Sequence, residues 1–211
     1  MALFGRKNTG TDSNDTGAAA PGQGAVDPGL AVLSGEYVID PAHTEIGFSV
    51  RHAMVTNVRG HFGEHEGSLF IDGANPANST ASIDVAMASV DTGAPDRDGH
   101  LRGGDFFDVE AFPKMTFRST SAEERGGDDY RITGDLTIKG VTKPLTIDLE
   151  FNGAATDPFG NQRIGFEGTA ELLRSDWGLT YNAALETGGV LVGDKIKLVF
   201  DISAIKQAPA A

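Results

Sequence analysis

Cysteine is absent from the 211-residue chain, which removes disulfide frameworks, thiolate metal sites and cysteine nucleophiles while identifying no compartment. Positive charge is scarce: 17 Lys and Arg face 30 Asp and Glu, a formal net charge of −13. That balance disfavours any broad surface holding nucleic acid or anionic headgroups by counterion release, so no nucleic-acid partner is expected. No stretch approaches the roughly 18 consecutive apolar residues of a membrane helix, and no integral membrane segment is expected. Arg6 and Lys7 are followed by the polar run Asn8 to Asp15, where a secretory signal would need its apolar region, so the expected compartment is the cytoplasm. The markers of three common chemistries, G-x-S-x-G, G-x-x-x-x-G-K and the dinucleotide-binding glycine fingerprint, are missing.

What is present is a core-forming composition, 39% hydrophobic, arranged with period two. Residues 1–34 are dominated by Gly, Ala, Pro, Ser, Thr and Asp and read as a flexible tail. The domain is expected at 35–207, with 208–211 as a short C-terminal tail. Within it Ile46, Phe48 and Val50 alternate with polar neighbours, as do Ile83, Val85 and Met87, then Met115 and Phe117, then Ile132, Leu136 and Ile138. Leu145, Ile147, Leu149 and Phe151 oppose Thr146, Asp148 and Glu150, and Ile196, Leu198, Phe200 and Ile202 oppose Lys195, Lys197 and Asp201. This is the pattern of strands with one dry and one wet face. With Tyr37 to Ile39, Phe62 to Ile71 and Ile164 to Leu172, eight or nine strands are expected. Gly126 to Asp129 and Lys139 to Pro144 have the composition of hairpin connections.

No helical segments alternate with these strands, so the sheet is expected to be antiparallel. Eight long strands with one dry side can close into a barrel without exposed edges, a two-sheet sandwich being the alternative. The fold class is all-β. Thr92 to Pro113 breaks the rhythm, and a connection of that length is expected to carry short helices or a function. His61-Phe62-Gly63-Glu64-His65 matches the H-x-x-E-H zinc-protease spacing, but that chemistry needs a helix and the flanking Gly60, Gly63 and Gly67 fit a strand. Asp96-Arg97-Asp98-Gly99 resembles the middle of a calcium loop, but its first and twelfth ligand positions hold Ala94 and Asp105. No metal and no cofactor is expected.

Four blocks carry a resemblance. Tyr37-x-Ile39-Asp40-Pro41-x-His43-Thr44 leads into Phe48-x-Val50-x-His52, and His100-Leu101-Arg102-x-x-Asp105-Phe106-Phe107-Asp108 ends at Phe112-Pro113. Gly134 to Pro144 and Arg174-Ser175-Asp176-Trp177-Gly178-Leu179, followed by Val192-Gly193-Asp194, complete the set. In this order they resemble the YceI-like family of lipocalin-like polyisoprenoid-binding proteins, over about Gly35 to Ile205. The resemblance implies an extended eight-stranded antiparallel barrel with an apolar lumen, and long isoprenoid or other lipid-like ligands. His65 stands where that pattern leads one to expect an aromatic. Periodicity alone leaves open whether the barrel is hollow or filled by its own side chains.

The expected function is therefore non-enzymatic binding, sequestration or transport of a long-chain isoprenoid or related lipid. Candidate ligand-binding residues are Phe48, Val50, Phe117, Leu149 and Phe200 on the inward strand faces, with His43, His52, Asp176 and Trp177 from the matching blocks. In the irregular segment His100, Arg102, Phe106 and Phe107 are candidates, the aromatics either as a helix packed on the barrel end or as a lid over the lumen, and Arg102 as donor to an anionic head by bidentate geometry. An alternative for Arg102 is pairing with Asp105 or Asp108 to pin the loop. Two rival readings stand beside the carrier: a hydrolase or isomerase pairing His43, His52 or His100 with Asp105 or Asp176, and a filled barrel acting as a protein-interaction module with the tail as tether. A homodimer is left open.

Overall fold

The computed structural model describes residues 31–186 and 188–208. The expected tail lies outside the described residues except for 31–34, as does all of 208–211 but its first residue. Eleven strand segments form one antiparallel sheet: β1 (Gly35–Ile39), β2 (Glu45–His52), β3 (Thr56–Phe62), β4 (His65–Ile71), β5 (Thr80–Ala86), β6 (Val90–Asp91), β7 (Lys114–Gly126), β8 (Asp129–Ile138), β9 (Val141–Thr156), β10 (Gln162–Leu173) and β11 (Val192–Lys206). The long connection carries one helix, α1 (Pro95–Arg102), and then turns. Eleven segments make eight barrel strands because β1 and β2, β3 and β4, and β5 and the short β6 are pieces of three long strands, each interrupted by a short break.

The breaks are built from local chemistry. Between β1 and β2 the three residues Pro41–His43 form a 3-10 turn, started by the fixed φ of proline and by the Asp40 carboxylate accepting from the Ala42 N–H at 3.1 Å. The sheet closes over the gap: Thr44 Oγ1 donates to the Ser203 carbonyl and accepts from the Ser203 N–H. The other two breaks lie side by side and bond to each other, Gly63 N–H to Ser89 O and Ala86 N–H to Glu64 O. Thus β11 pairs with β2 from Val192 to Asp201 and with β1 from Ala204 to Lys206, its other edge following β10. The barrel has no free edge along that seam.

Closure turns the alternation into an inside and an outside. Leu145 and Ile147 are buried with Leu149 and Phe151 half-buried, whereas Thr146, Asp148 and Glu150 are exposed. Lys139 and Gly140 both have positive φ, 49° and 73°, the two-residue turn whose twist matches a hairpin. At Gly134 an added Cβ would lie 2.5 Å from both the Phe117 ring and the Arg118 carbonyl, so glycine is what lets that ring lie flat on the wall.

The fold takes in residues upstream of Gly35. Tyr37, 1% exposed, donates its hydroxyl to the Leu33 carbonyl at 2.7 Å; Ser34 Oγ accepts from the Gly73 N–H at 3.0 Å; Lys206 Nζ donates to the Val32 carbonyl at 2.9 Å. A chain beginning at Gly35 should therefore be less stable than one beginning at Ala31, by roughly 2 kcal/mol for the half-buried Leu33 and the lost hydrogen bonds. Equal denaturation midpoints would show that these contacts contribute nothing.

Candidate functional site

The inward faces do not fill the barrel. A cavity of about 160 Å³ runs through its upper part, walled by aliphatic and aromatic side chains including Ile83, Phe117, Ile132, Ile147, Leu149 and Phe200. On β8 the wall extends from Tyr130 to Leu136, roughly 20 Å of strand at about 3.3 Å per residue. The mouth lies where β4 turns into β5 and β7 into β8. Leu33, Asp72, Pro76 and Thr80 stand on one side, Ala122, Tyr130 and Arg131 on the other.

The opposite end is plugged. Phe48, Phe62 and Phe107 pack in series as tilted rings, centroids 5.7 and 6.0 Å apart, in the same core as Met87, Val90 and Trp177. Trp177 is 3% exposed and its Nε1–H donates to the Leu136 carbonyl at 3.1 Å, which satisfies its one polar atom inside the plug. Arg174, also buried, donates to the carbonyls of Leu179, Val192 and Gly193 and ties the Arg174–Trp177 turn to the start of β11; burial lowers its pKa from the usual value.

Of the candidates from sequence, Phe117, Leu149 and Phe200 are on the cavity wall. Phe48 faces inward but belongs to the plug, and Val50 and His52 are half-buried farther along β2. His43 is exposed, with Nδ1 2.7 Å from Asp40, whose carboxylate Arg163 holds below the usual pKa range, helped by His43 and Ala42. His100 pairs with Asp105 at 2.9 Å on the outer surface and packs edge-on against Phe106 and Tyr181. Asp176 is exposed and pairs with Lys143 at 3.1 Å. No His–carboxylate pair among these points into the cavity, because both pairs named are formed by neighbours within one surface turn.

Two sequence expectations change. The lid expected of Phe106 and Phe107 does not form at the mouth: Phe107 packs into the plug at the other end, Phe106 is buried against His100 and Tyr181, and α1 just before them packs on β6. Arg102 was expected to face an anionic head or a carboxylate; instead its Nε donates to the Ala88 carbonyl at 2.7 Å and its Nη2 to the Val90 carbonyl at 2.8 Å. His61 and His65, spaced as in a zinc protease, diverge: His61 is exposed on β3 and His65 is buried on β4, as expected for a strand bend rather than a helix. The mouth residues Tyr130 and Leu33 were missed. Extending the alternation back from Ile132 would have found Tyr130; nothing local marked Leu33.

A YceI-like domain model matches residues 37–204. The chain belongs to the YceI-like family. A UPF0312 protein of Vibrio parahaemolyticus is 40% identical over 150 residues, 70% of this chain and 79% of that protein. The crystal structure of a YceI protein of Campylobacter jejuni is 32% identical, superposes with a TM-score of 0.64, and is matched over 80% of this chain and 96% of its own. A polyisoprenoid-binding domain from Saccharophagus degradans, implicated in plant cell wall breakdown, shares the fold at 15% identity and a TM-score of 0.61, over 81% of this chain and 98% of its own.

The Arg102 geometry makes a prediction. Arg102→Ala should lower stability by about 2 kcal/mol, two charge-assisted hydrogen bonds discounted for partial exposure, while lipid uptake by the folded variant is unchanged. Weakened uptake at unchanged stability, read by chemical denaturation and ligand titration, would return Arg102 to the ligand.

Proposed function

We propose that this YceI-like protein binds and carries a long apolar molecule, an isoprenoid or related lipid, without covalent chemistry. The observation that carries this reading is the cavity: an apolar space inside a closed barrel, open at one end and plugged at the other, with no His–carboxylate pair among the described residues in its lining. Each buried methylene is worth about 0.8 kcal/mol gross, so a chain of modest length supplies affinity even after the cost of ordering it. Membership of the family supports the reading, and the S. degradans domain shows a polyisoprenoid-binding protein built on the same fold. The histidine–carboxylate pairs sit on the outer surface, which favours carriage over hydrolysis or isomerisation.

The test is to fill the space without charging it. Leu149→Trp, on the wall near the mouth, should reduce uptake of a fluorescent long-chain alcohol by on the order of tenfold or more while the protein stays folded, since a wall residue enlarged into the lumen removes room for the chain. Thr146→Trp, on the exposed face of the same strand, should leave uptake unchanged. Phe200→Asp places an unpaired charge in the lumen and should abolish uptake or unfold the domain. Equal uptake by the Leu149→Trp and Thr146→Trp variants would overturn the proposal.

A further inference from the structure

The mouth of the cavity carries a charge pattern that bears on which lipids enter. Glu124 on β7 lies directly opposite Tyr130 on β8, hence on the face of the sheet that lines the cavity, and Asp128 sits in the turn joining the two strands. The Tyr130 pKa is raised by burial and then by the charges of Glu124 and Asp128, so both carboxylates are felt at the rim. Across the opening Asp72 lines the cavity, and its carboxylate accepts from Asn78 Nδ2 and from the N–H groups of Asn75 and Ala74. Those donors, Asn78 first, lower its pKa and keep it an anion.

Among the described residues every guanidinium at this end of the barrel is paired with a carboxylate, and the one ammonium, Lys206, donates to a backbone carbonyl. Arg131 stands between Glu123 and Asp148 in the strand register and donates from Nε to Asp148 at 2.7 Å. Arg125 leans on Glu123 at 3.5 Å. Arg163 bridges Asp40 and Asp157, and Lys206 is held by the Val32 carbonyl. Arg102 is at the plugged end, with two of its nitrogens on backbone carbonyls. An anionic head entering here would meet three carboxylates, no guanidinium free of a carboxylate among the described residues, and one ammonium, Lys206, already donating to the Val32 carbonyl. An uncharged head would instead find hydroxyls, on Tyr130, Ser79 and Thr80, that can donate or accept.

We propose that the mouth selects lipids with an uncharged hydrogen-bonding head, a hydroxyl or a carbonyl, and rejects phosphorylated lipids of the same chain. This rests on the carrier reading, since it assigns a head-group preference to the same cavity. The repulsion acts through exposed groups, so it weakens as salt is raised.

The experiment compares geranylgeraniol with geranylgeranyl phosphate, binding each to the full chain by equilibrium dialysis. At low ionic strength the alcohol should bind on the order of tenfold tighter or more, and the gap should narrow with added salt. In the double variant Glu124→Gln, Asp128→Asn, whose changes lie at exposed positions, the alcohol should bind as before and the phosphate several-fold tighter. Equal or tighter binding of the phosphate by the unaltered protein, or an unchanged ratio in the double variant, would overturn the selection and leave the carrier reading standing. Failure of both probes to bind would instead bring down the carrier reading and this inference with it.

Discussion

The ladder joining β11 to β1 and β2 is the contact on which the rest of the molecule depends, because it pairs the last edge of the sheet. Once that seam is made, the period-two alternation of every strand acquires a single meaning, apolar in and polar out. Eight strands are also near the size at which a barrel interior is either just filled or just able to hold one ligand. Here both outcomes occur in one barrel: Phe48, Phe62, Phe107 and Trp177 close the lower part, while the aliphatic and aromatic walls of the upper part leave a space between them. The breaks at Pro41–His43 and Met87–Ser89 belong to the same geometry, since they let long strands bend without giving up their neighbours.

The sidedness of the strands was legible because it depends only on neighbours two apart. Leu145 through Phe151, and Ile196 through Ile202, show in sequence the faces they present in the fold. The hairpin at Lys139–Gly140 was legible for a similar local reason. The direction of the cavity was not, because it depends on which end the 92–113 connection covers, and that is settled by long-range packing. Arg102 shows the difference: its place in a conspicuous motif is visible in the chain, but the carbonyls of Ala88 and Val90 that receive it exist as a pair only after β6 is formed. His65, where the family pattern led to an aromatic, takes an interior position with neither ring nitrogen hydrogen-bonded among the described residues. A buried imidazole left that way costs stability, and the surrounding fold tolerates it.

The exterior is not arranged for stability alone. Asp129, Glu150, Glu167, Asp201 and Glu45 stand directly opposite one another across five adjacent strands, all exposed. Like charges in such cross-strand pairs are unfavourable, so the ladder and the core must hold the sheet against them. The acidic surplus read from composition thus has a definite place, a row of carboxylates around part of the barrel. With the carboxylates at the rim it makes an apolar cavity inside a shell that repels anions. Apolar burial supplies the attraction, and the shell acts mainly on what surrounds the mouth.

A lipid site in the upper cavity differs from an empty defect of packing in what the purified protein carries. Native mass spectrometry of the full chain as purified, followed by organic extraction and lipid analysis, distinguishes the two most directly. A lipid-filled cavity gives a species heavier than the bare 22.1 kDa chain that loses a single long-chain lipid on activation, with the same lipid recovered in the extract. A bare chain that yields no lipid, and gains none on incubation with isoprenoid alcohols, would contradict it.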